Sequence, residues 1–318
     1  MARRAHDGKE RVGIVITVVG EALVDIIVDP SGNVTSVVGG GPLNTARTVA
    51  RLGLPSRFLG GISNDAFGGR IARLLDQDQV TYALGERVPE PTTLAIASID
   101  ASGAATYRFM LEGTSAAAVT PERALAAVGE DCRAVHVGTL GLVLQPLAEA
   151  SAAVVEAATE DQIVMVDPNC RPSVMTEGNP FPGILRRVLS RADLVKVSGD
   201  DLQVIYPGID LLDAASRLQA ECGAVVLFTD GAAAVRILTG GGIEVLHVPS
   251  VPVVDTVGAG DSFSGGFLAH WLKEGRTRSD LRDRAALIAA ARYGIAVAGI
   301  TCQRAGADPP FASEVPAH

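Results

Sequence analysis

Positive charge is scarce in this chain of 318 residues, which carries 27 Lys and Arg against 36 Asp and Glu, a formal net charge of −9. An acidic protein has no general electrostatic attraction for a phosphate backbone or an anionic bilayer. We therefore expect neither a nucleic acid nor a membrane as a partner. A small basic cleft that binds a small anion is still compatible with this balance.

Cysteine and aromatic residues are also few. The four cysteines lie far apart and form no C-x-x-C pair, being Cys132, Cys170, Cys222 and Cys302. This spacing argues against a zinc site and a disulfide scaffold, and a reducing cytoplasm is the simplest location. Aromatic residues make up 4% of the chain. We therefore expect ligands to be held by polar groups and main chain rather than by stacking.

No hydrophobic run is long and uninterrupted. The apolar stretch over residues 12–28 follows several basic residues, as the core of a signal peptide would, but Glu21 and Asp25 interrupt it and no small-residue cleavage site follows. No later stretch reaches membrane-spanning length without a charge or a proline. We therefore expect no export signal and no membrane anchor.

The chain does contain an alternation of short β-branched runs and Ala/Leu/Glu-rich segments with helical periodicity. Four such runs lie at residues 134–137, 163–166, 194–197 and 225–228. Buried parallel strands joined by crossover helices have this pattern. The sequence therefore predicts an α/β fold. A Gly-rich hairpin and two terminal helices are predicted over about residues 234–248, 261–274 and 280–298.

A flatter pattern occurs in the first third of the chain. Residues 92–99 and 104–110 are two strand-like runs separated by a strong turn signal at residues 100–103. With residues 34–38 they predict either a small separate sheet, which would cover a ligand crevice as a lid, or an ordinary edge hairpin. The pattern alone leaves both open.

The most informative segment is Asp255-Thr256-Val257-Gly258-Ala259-Gly260-Asp261-Ser262-Phe263, between strand-like residues 251–254 and an apolar helix. At such a turn into a helix, backbone N–H groups are unpaired and point outward with the positive end of the helix dipole. Gly258, Ala259 and Gly260 therefore predict an anion hole, with Asp261 placed to accept a proton from a hydroxyl beside a bound phosphate. The alternative is a tight turn with Asp261 as helix N-cap.

A second glycine segment, Gly39-Gly40-Gly41-Pro42-Leu43-Asn44, runs into a predicted helix over residues 45–52. The glycines allow a small ligand to approach the backbone, and Asn44 offers a donor and an acceptor to hydroxyl groups. Upstream, Asp25 lies in an apolar run, so we expect it to be hydrogen-bonded to the protein or to a polyol. A plain loop with Asn44 as helix cap is the alternative.

These two segments resemble the two signatures of the ribokinase-like (phosphofructokinase B) family of carbohydrate kinases. The resemblance extends over about residues 12–310. Supporting stretches follow in the expected order: Gly60-Gly61-Ile62-Ser63-Asn64-Asp65, Asp167-Pro168-Asn169-x-Arg171, Thr229-Asp230-Gly231 and Gly306-Ala307. The segments over residues 167–172, 196–202 and 301–310 resemble the bacterial fructokinase branch of the family most closely.

The resemblance implies a fold and an activity. The implied fold is one doubly wound, mostly parallel α/β domain over residues 12–310, with a small β lid from about 22–38 and 90–112. Residues 1–11 and 311–318 would be loose ends. The implied activity is transfer of the γ-phosphate of ATP, with Mg²⁺, to a primary hydroxyl of a sugar.

The resemblance also implies roles for individual residues. Asp261 would be the base, with an anion hole at Gly258, Ala259 and Gly260. The residues implied to hold the sugar with Asp261 are Asp25, Gly40, Gly41, Asn44, Asn169 and Arg171. The implied nucleotide side comprises Ser198, Thr229, Gly231, Gly258 and Gly260.

Metal ions are implied as well. Asp255 and carbonyls of the loop over residues 302–307 would hold a monovalent cation such as K⁺. The family's Asn-x-x-Glu motif is replaced here by Ser198-Gly199-Asp200-Asp201, whose side chains are shorter. We therefore expect Mg²⁺ to bind through water near Asp201, since this ion often keeps its hydration shell.

Two further residues have open interpretations. Arg108, on the second strand of the predicted lid, would either reach the sugar or lie on a solvated strand face. His136 would either touch ligand or be a hydrogen-bonded core histidine.

The fructokinase branch implies fructose as the sugar and fructose 6-phosphate as the product. The alternatives within the family are a 2-keto-3-deoxygluconate kinase, a ribokinase or a nucleoside kinase, and outside enzymes a sugar-binding regulator. A nicotinamide oxidoreductase is disfavoured because no G-x-G-x-x-G follows the first strand. Lids of this family often pair with a second lid, so the chain is compatible with a homodimer.

Overall fold

The computed structural model describes residues 13–100, 105–175 and 178–316. The predicted loose start at residues 1–11, and residues 101–103 of the predicted turn, lie outside this part of the chain. The strands are β1 Val15–Val19, β2 Leu23–Val28, β3 Val34–Gly39, β4 Ser56–Leu59, β5 Thr81–Tyr82, β6 Leu94–Ile99, β7 Ala105–Met110, β8 Cys132–Gly138, β9 Ile163–Asp167, β10 Leu194–Ser198, β11 Val225–Asp230, β12 Ala234–Thr239 and β13 Gly242–His247. The α-helices are α1 Gly41–Arg51, α2 Ala66–Gln77, α3 Pro121–Ala127, α4 Leu147–Glu156, α5 Phe181–Leu189, α6 Gly199–Ile205, α7 Leu211–Cys222, α8 Ala259–Lys273 and α9 Arg284–Thr301.

The larger of two sheets runs in the order β13-β12-β11-β10-β9-β8-β1-β4-β5. Its strands pair in parallel from β5 to β11, and β12 and β13 add an antiparallel hairpin at one edge. The four predicted runs are the inner parts of β8 to β11, so the parallel α/β prediction is confirmed. The predicted terminal hairpin is also confirmed, with its turn between Thr239 and Gly242.

Helices cover both faces of this sheet. On one face, Val135, Val137 and Val166 pack in a cluster with apolar residues of α4, α5 and α7. On the other face, Ile16 and Val18 pack with residues of α1, α2, α8 and α9. Because strands buried on both faces need apolar residues in both orientations, their sequences read as continuous apolar runs. The doubly wound fold is confirmed.

Helices α8 and α9 pack closely against each other. A Cβ atom on Gly266 would lie 3.1 Å from the Cα of Gly294, and one on Gly294 would lie 2.8 Å from the carbonyl oxygen of Phe263. By length and composition alone, Arg284–Thr301 would also be apolar enough to cross a membrane. Core helices pass the same test, and this contact with α8 gives its apolar side chains a partner within the domain.

The smaller sheet, named the lid sheet here, has four strands in the order β3-β2-β6-β7. It forms separately from the large sheet, which decides the open question in favour of a small sheet over an edge hairpin. Strand β2 follows β1 after a turn at Gly20, and β3 leads directly into α1. The lid sheet is therefore joined covalently to the first helix of the large domain.

Several local predictions need correction. Residues 251–254 are not a strand but an irregular, largely exposed segment. Helix α1 begins at Gly41 rather than at residue 45, because Pro42 is compatible with the first helical turn, so Asn44 lies inside the helix and is not its cap. At the predicted loose end over 311–318, Ala312–Glu314 instead form a short 3-10 helix.

Candidate active site

The start of α8 is built on glycine geometry. Gly258 is the residue before the helix and has a left-handed backbone with φ of 78°. A Cβ atom at this position would lie 2.6 Å from the Cβ of Ala307, so a side chain does not fit. Asp261 is the third residue of the helix and does not cap it, which rejects the N-cap interpretation.

The amides of this turn are not all free. The N–H of Ala259 donates to the carbonyl of Thr256 at 3.2 Å. Among the described residues, no acceptor bonds the N–H groups of Gly258 and Gly260. The predicted anion hole would therefore consist of two available amides, those of Gly258 and Gly260, at the positive end of a 15-residue helix.

Asn44 and Asp261 meet at this point although they are far apart in the sequence. The Asn44 amide nitrogen donates to Oδ2 of Asp261 at 3.0 Å. Both residues are buried, and the amide oxygen of Asn44 has no hydrogen-bond partner among the described residues. A buried acceptor without a partner is costly, so this oxygen favours a ligand that brings a hydroxyl or an N–H donor.

Gly41 lies among polar side chains that come from three other segments of the chain. A Cβ atom there would lie 2.7 Å from Oγ1 of Thr139, 3.1 Å from Oδ1 of Asp261 and 3.3 Å from Nδ2 of Asn169. Asn169 also donates to Oγ1 of Thr139 at 3.2 Å. The start of α1 and the segments that follow β8 and β9 thus converge on one glycine, as expected for the carboxyl edge of a parallel sheet.

A buried ion pair, which the residue-by-residue prediction missed, lies beneath α8. The ammonium of Lys196 lies 3.2 Å from Oδ2 of Asp167, and Ser264 donates to the same oxygen at 3.3 Å. A Cβ atom on Gly260 would lie 2.8 Å from the Lys196 nitrogen. The sequence signal was a charged residue in the middle of an apolar strand, which requires a partner. The pair places positive charge directly behind the glycine turn.

Glu21 is a second residue that the assigned roles missed. Its carboxyl oxygens accept hydrogen bonds from the N–H groups of Gly41, at 3.3 Å, and Gly141, at 3.2 Å. Glu21 follows β1 and therefore links the first strand to α1 and to the segment after β8. Its isolation within an apolar run was the available signal, as it was for Asp25.

Burial dominates the electrostatics of these carboxyl groups. Burial raises the pKa of Asp261 above its ordinary value, opposed by the Asn44 hydrogen bond and by the charges of Lys196 and Arg171. Burial also raises the pKa of Glu21 to about 8 and that of Asp167 to about 6. The positive charges of Lys196 and Arg171 thus lower the pKa values that burial raises in this group of carboxyl side chains.

Asp25 enters the site from the lid sheet. Its carboxylate lies against Gly39, where a Cβ atom would be 2.3 Å from Oδ2. Gly40, next along the chain, has φ of 117°, and a Cβ there would lie 2.6 Å from the Glu21 carbonyl oxygen. Burial raises the pKa of Asp25 to about 6, and Arg171 opposes this shift. The glycine segment therefore makes room for the carboxylate that it faces.

Arg108 is not brought into this group. In the lid sheet, Asp25 pairs with Ala95, while Arg108 pairs with Ile96 in the adjacent row. Adjacent rows present side chains on opposite faces of a sheet. Arg108 is exposed on the face opposite Asp25, the face on which Ser36 accepts hydrogen bonds from Arg70 of α2. In a single chain this register turns Arg108 away from Asp25, so the structure gives no support to its predicted contact with the sugar.

Ser198 and Asp201 are engaged with each other. They form a capping box at the start of α6, and the second oxygen of Asp201 accepts from the backbone N–H of Cys170 at 2.6 Å. Asp201 is buried. These contacts give both side chains a structural role that fixes the loop after β9, and the predicted part of Asp201 in Mg²⁺ binding gains no support from this geometry.

Thr229 and Gly231 lie at the end of β11. Thr229 is half-buried and donates to the carbonyl of Val197 at 3.3 Å, and Gly231 is exposed with φ of 50°. A Cβ atom on Gly231 would meet no atom within 4 Å. The position offers open space beside the carboxyl ends of β10 and β11, where nucleotides bind in such sheets.

Asp255 joins two loops. Its carboxylate accepts from the N–H of Val257 at 3.0 Å and from the N–H of Gly306 at 2.9 Å. The structure therefore brings Asp255 and the loop over residues 302–307 together, the juxtaposition on which the predicted cation site depends. Among the described residues, no group of three or more His, Cys, Asp and Glu side chains could hold a metal ion.

His136 differs from the expectation of a hydrogen-bonded core histidine. It is buried in β8, and neither ring nitrogen has a partner within the described part of the chain. Burial, together with the nearby charge of Lys196, lowers its pKa to about 3. His136 is therefore neutral at physiological pH.

Comparison with known proteins gives consistent findings. A family model described as "pfkB family carbohydrate kinase" matches residues 15–314. The chain is 33% identical to a fructokinase of Klebsiella pneumoniae, covering 80% of this chain and 83% of that protein. It is 31% identical to a fructokinase of Rhizobium leguminosarum bv. trifolii, covering 79% of this chain and 77% of that protein. The fructokinase of Xylella fastidiosa, solved with bound ATP, superposes with a TM-score of 0.86 at 27% identity, over 95% of this chain and 96% of that one.

Proposed function

Because this chain belongs to the pfkB family of carbohydrate kinases, we propose that it transfers the γ-phosphate of ATP to the 6-hydroxyl of fructose. The single observation that carries the mechanism is the contact between Asn44 and Asp261 at the start of α8. It unites the two motifs at one buried point where a hydroxyl and a phosphate would meet. The choice of fructose is supported by the fructokinases at 31% and 33% identity.

Asp261 is the base in this proposal. Its unshared Oδ1 faces Gly41, while Asn44 holds Oδ2 and fixes the carboxylate. The sugar hydroxyl donates its proton to Asp261 as its oxygen attacks the γ-phosphorus, and ADP leaves. Phosphoryl transfer asks a protein mainly for positioning and charge stabilisation. The amides of Gly258 and Gly260, with Lys196 behind them, supply that stabilisation.

Mg²⁺ would reach the site on the nucleotide phosphates. Magnesium commonly keeps several water ligands and binds through one or two carboxylates and the phosphates of its substrate. When bound, it would neutralise charge on the phosphates. Thr229 and Gly231 line the proposed nucleotide side, because they border open space at the end of β11.

The sugar is held from two sides. Asp25 approaches from the lid sheet, and Asn44, Asn169 and Gly41 form the opposite wall. Arg171 is exposed, bonds the carbonyls of Asn169 and Cys170, and opposes the pKa shifts of Asp25 and Asp261. This places its positive charge toward the site, in keeping with a role beside the substrate or the phosphates.

A monovalent cation beside Asp255 is a second part of the proposal. Its support is the hydrogen bond from the Gly306 N–H to Asp255, which sets this carboxylate against the loop over residues 302–307. Activity measured in potassium, sodium and choline chloride at equal ionic strength tests it. We expect potassium to activate, and equal rates in all three salts would contradict the site.

Dimerisation through the lid sheet is a third part. Val37 and Tyr107 are 43% and 56% exposed, and both extend the face that carries Asp25. Exposed apolar surface of this kind is typical of interaction sites. We expect light scattering after gel filtration to give twice the chain mass of 32.8 kDa. A monomer mass at micromolar concentration would contradict it.

A substrate panel tests the proposed reaction. ADP release is measured with fructose, ribose, adenosine and 2-keto-3-deoxygluconate at equal ATP. We expect kcat/KM to be highest for fructose. A preference for one of the others would keep the kinase chemistry but reject fructose, and saturable sugar binding without ADP release would favour a sugar-binding regulator.

A further inference from the structure

Arg47 is a buried charged residue that the proposed reaction does not use. It lies on α1, one turn after Asn44, and is 4% exposed. Its Nε donates to Oδ2 of Asp78 at 2.6 Å, and its Nη1 donates to the carbonyl of Ala307 at 2.9 Å. A guanidinium has the fixed geometry that allows it to hold a carboxylate and a carbonyl at once.

The carbonyl that Arg47 holds belongs to the loop that abuts the start of α8. The Ala307 methyl occupies the space where a side chain on Gly258 would lie, at 2.6 Å from its ideal Cβ. The neighbouring Gly306 N–H donates to Asp255 at 2.9 Å. The loop over residues 306–308 is therefore fixed against the glycine turn on one side and against Arg47 on the other.

We propose that Arg47 is a positioning residue, which sets the sugar-holding end of α1 against the phosphate-facing glycines of α8 by holding Ala307. The contacts form one continuous path from α1 through Arg47 and Ala307 to Gly258. This inference rests on the proposed function of the glycine turn. It concerns alignment of the phosphate side, since Asn44 keeps its own hydrogen bond to Asp261.

Arg51 provides a matched comparison. It lies one turn further along α1 and donates to the other oxygen of Asp78 at 2.8 Å. It also donates to Asp308 and to the carbonyl of Pro309, both at 2.6 Å. Arg51 therefore braces the same helix to the same loop, and its hydrogen bonds go to Asp78, Asp308 and Pro309 rather than to Ala307, the residue that abuts Gly258.

The test compares Arg47→Met with Arg51→Met, since each leaves Asp78 one arginine partner. Thermal stability, kcat and the KM values for ATP and sugar are measured, with hydrogen exchange of the peptide over residues 303–309 in the absence of ligand. We expect both variants to be less stable. Only Arg47→Met should raise the KM for ATP about tenfold and lower kcat, with the KM for sugar changed by less than about threefold.

Hydrogen exchange gives a readout that does not depend on turnover. We expect the Gly306 region to exchange faster in Arg47→Met than in Arg51→Met, and Arg47→Lys to restore part of the protection and of the KM for ATP. Equal exchange and equal kinetic changes in both methionine variants would overturn the proposal and leave Arg47 as a stabilising brace. If the wild type shows no kinase turnover, the proposed function fails, while exchange still decides the role of Arg47.

Discussion

The two sides of the candidate site are built in different ways. The site floor, formed by Asn44, Asp167, Lys196 and Asp261, consists of side chains that are at most 8% exposed and are held by one another. The lid sheet contributes Asp25, which is half-buried and has no hydrogen bond from a side chain of the described residues. The floor side chains are therefore fixed before a ligand binds. The Asp25 carboxylate of the lid sheet would instead find its hydrogen-bond partner in the ligand.

This difference suggests a division of labour. Charge stabilisation requires groups fixed before the reaction, which a close-packed interior supplies. Selection among sugars depends on the few groups that meet their hydroxyls, and these can vary on a small sheet without disturbing the large one. We therefore expect changes at the charged floor residues Asp167, Lys196 and Asp261 to affect the rate of chemistry, and changes in the lid to affect sugar affinity.

The largest expected effect is that of Asp261→Asn. The amide keeps the shape of the side chain but cannot accept the hydroxyl proton, so we expect kcat to fall by about a thousandfold. Steady-state kinetics measures this, with Asp280→Asn, a half-buried residue of the capping box at Thr277, as control. A near wild-type kcat would show that Asp261 is not the base. It would also contradict the assignment of the chemical step to the floor.

Asp25→Ala tests the lid side. Losing a hydrogen bond to a charged group costs about 1.5–3 kcal/mol, which corresponds to roughly a 10- to 100-fold rise in the KM for sugar. We expect kcat to change much less. Asp29→Ala is the control, because Asp29 lies in the exposed turn between β2, the strand that carries Asp25, and β3. A fall in kcat with an unchanged KM for sugar would show that Asp25 acts in the chemical step, as the floor residues are expected to do.

Glu21 lies where the lid sheet joins the large sheet, and its effect is on stability. Because its pKa is raised to about 8 in the folded state, from an ordinary value of 4.5, the folded chain retains a proton that the unfolded chain has lost. Its contribution to stability is therefore complete below about pH 4.5 and is lost as the pH rises toward 8.

Glu21→Gln should remove this dependence. We expect the stability of the variant relative to the wild type to increase between pH 5 and pH 8, as measured by urea unfolding. Glu112→Gln, an exposed position on the lid side, serves as control. A stability difference that stays constant with pH would mean that Glu21 is ionised in the folded protein.

Arg108→Ala has the smallest expected effect. Because Arg108 is exposed on the face opposite Asp25, we expect its loss to change kcat and the KM for sugar by less than about twofold, the range of an exposed substitution. Initial-rate measurements suffice. A tenfold rise in the KM for sugar would show that this face of the lid sheet meets the substrate.

The sequence predicted much of the fold and the position of the floor. The parallel strands read as apolar runs because both of their faces are buried, and Gly258 and Gly41 lie in glycine segments because close contacts exclude side chains there. The sequence also contains the pattern of the Ser198 and Asp201 capping box, since a serine followed three residues later by an acidic residue commonly begins a helix. The resemblance to the family's magnesium motif leads instead to a metal interpretation of the same residues.

Other features depended on distance in space. Asn44 and Asp261 are separated by 217 positions, and no local pattern predicts their hydrogen bond. The face on which Arg108 lies depends on the register of the lid strands, which a shift of one residue would reverse. Residues 251–254 resemble a strand because three of the four are valine, yet they are largely exposed and pair with no strand.

The most direct test of the division between floor and lid is calorimetric titration of fructose into two variants in the absence of ATP. We expect Asp261→Asn to bind fructose with an affinity within about threefold of the wild type, and Asp25→Ala to bind it at least tenfold more weakly. Loss of binding in Asp261→Asn together with retained binding in Asp25→Ala would contradict the account.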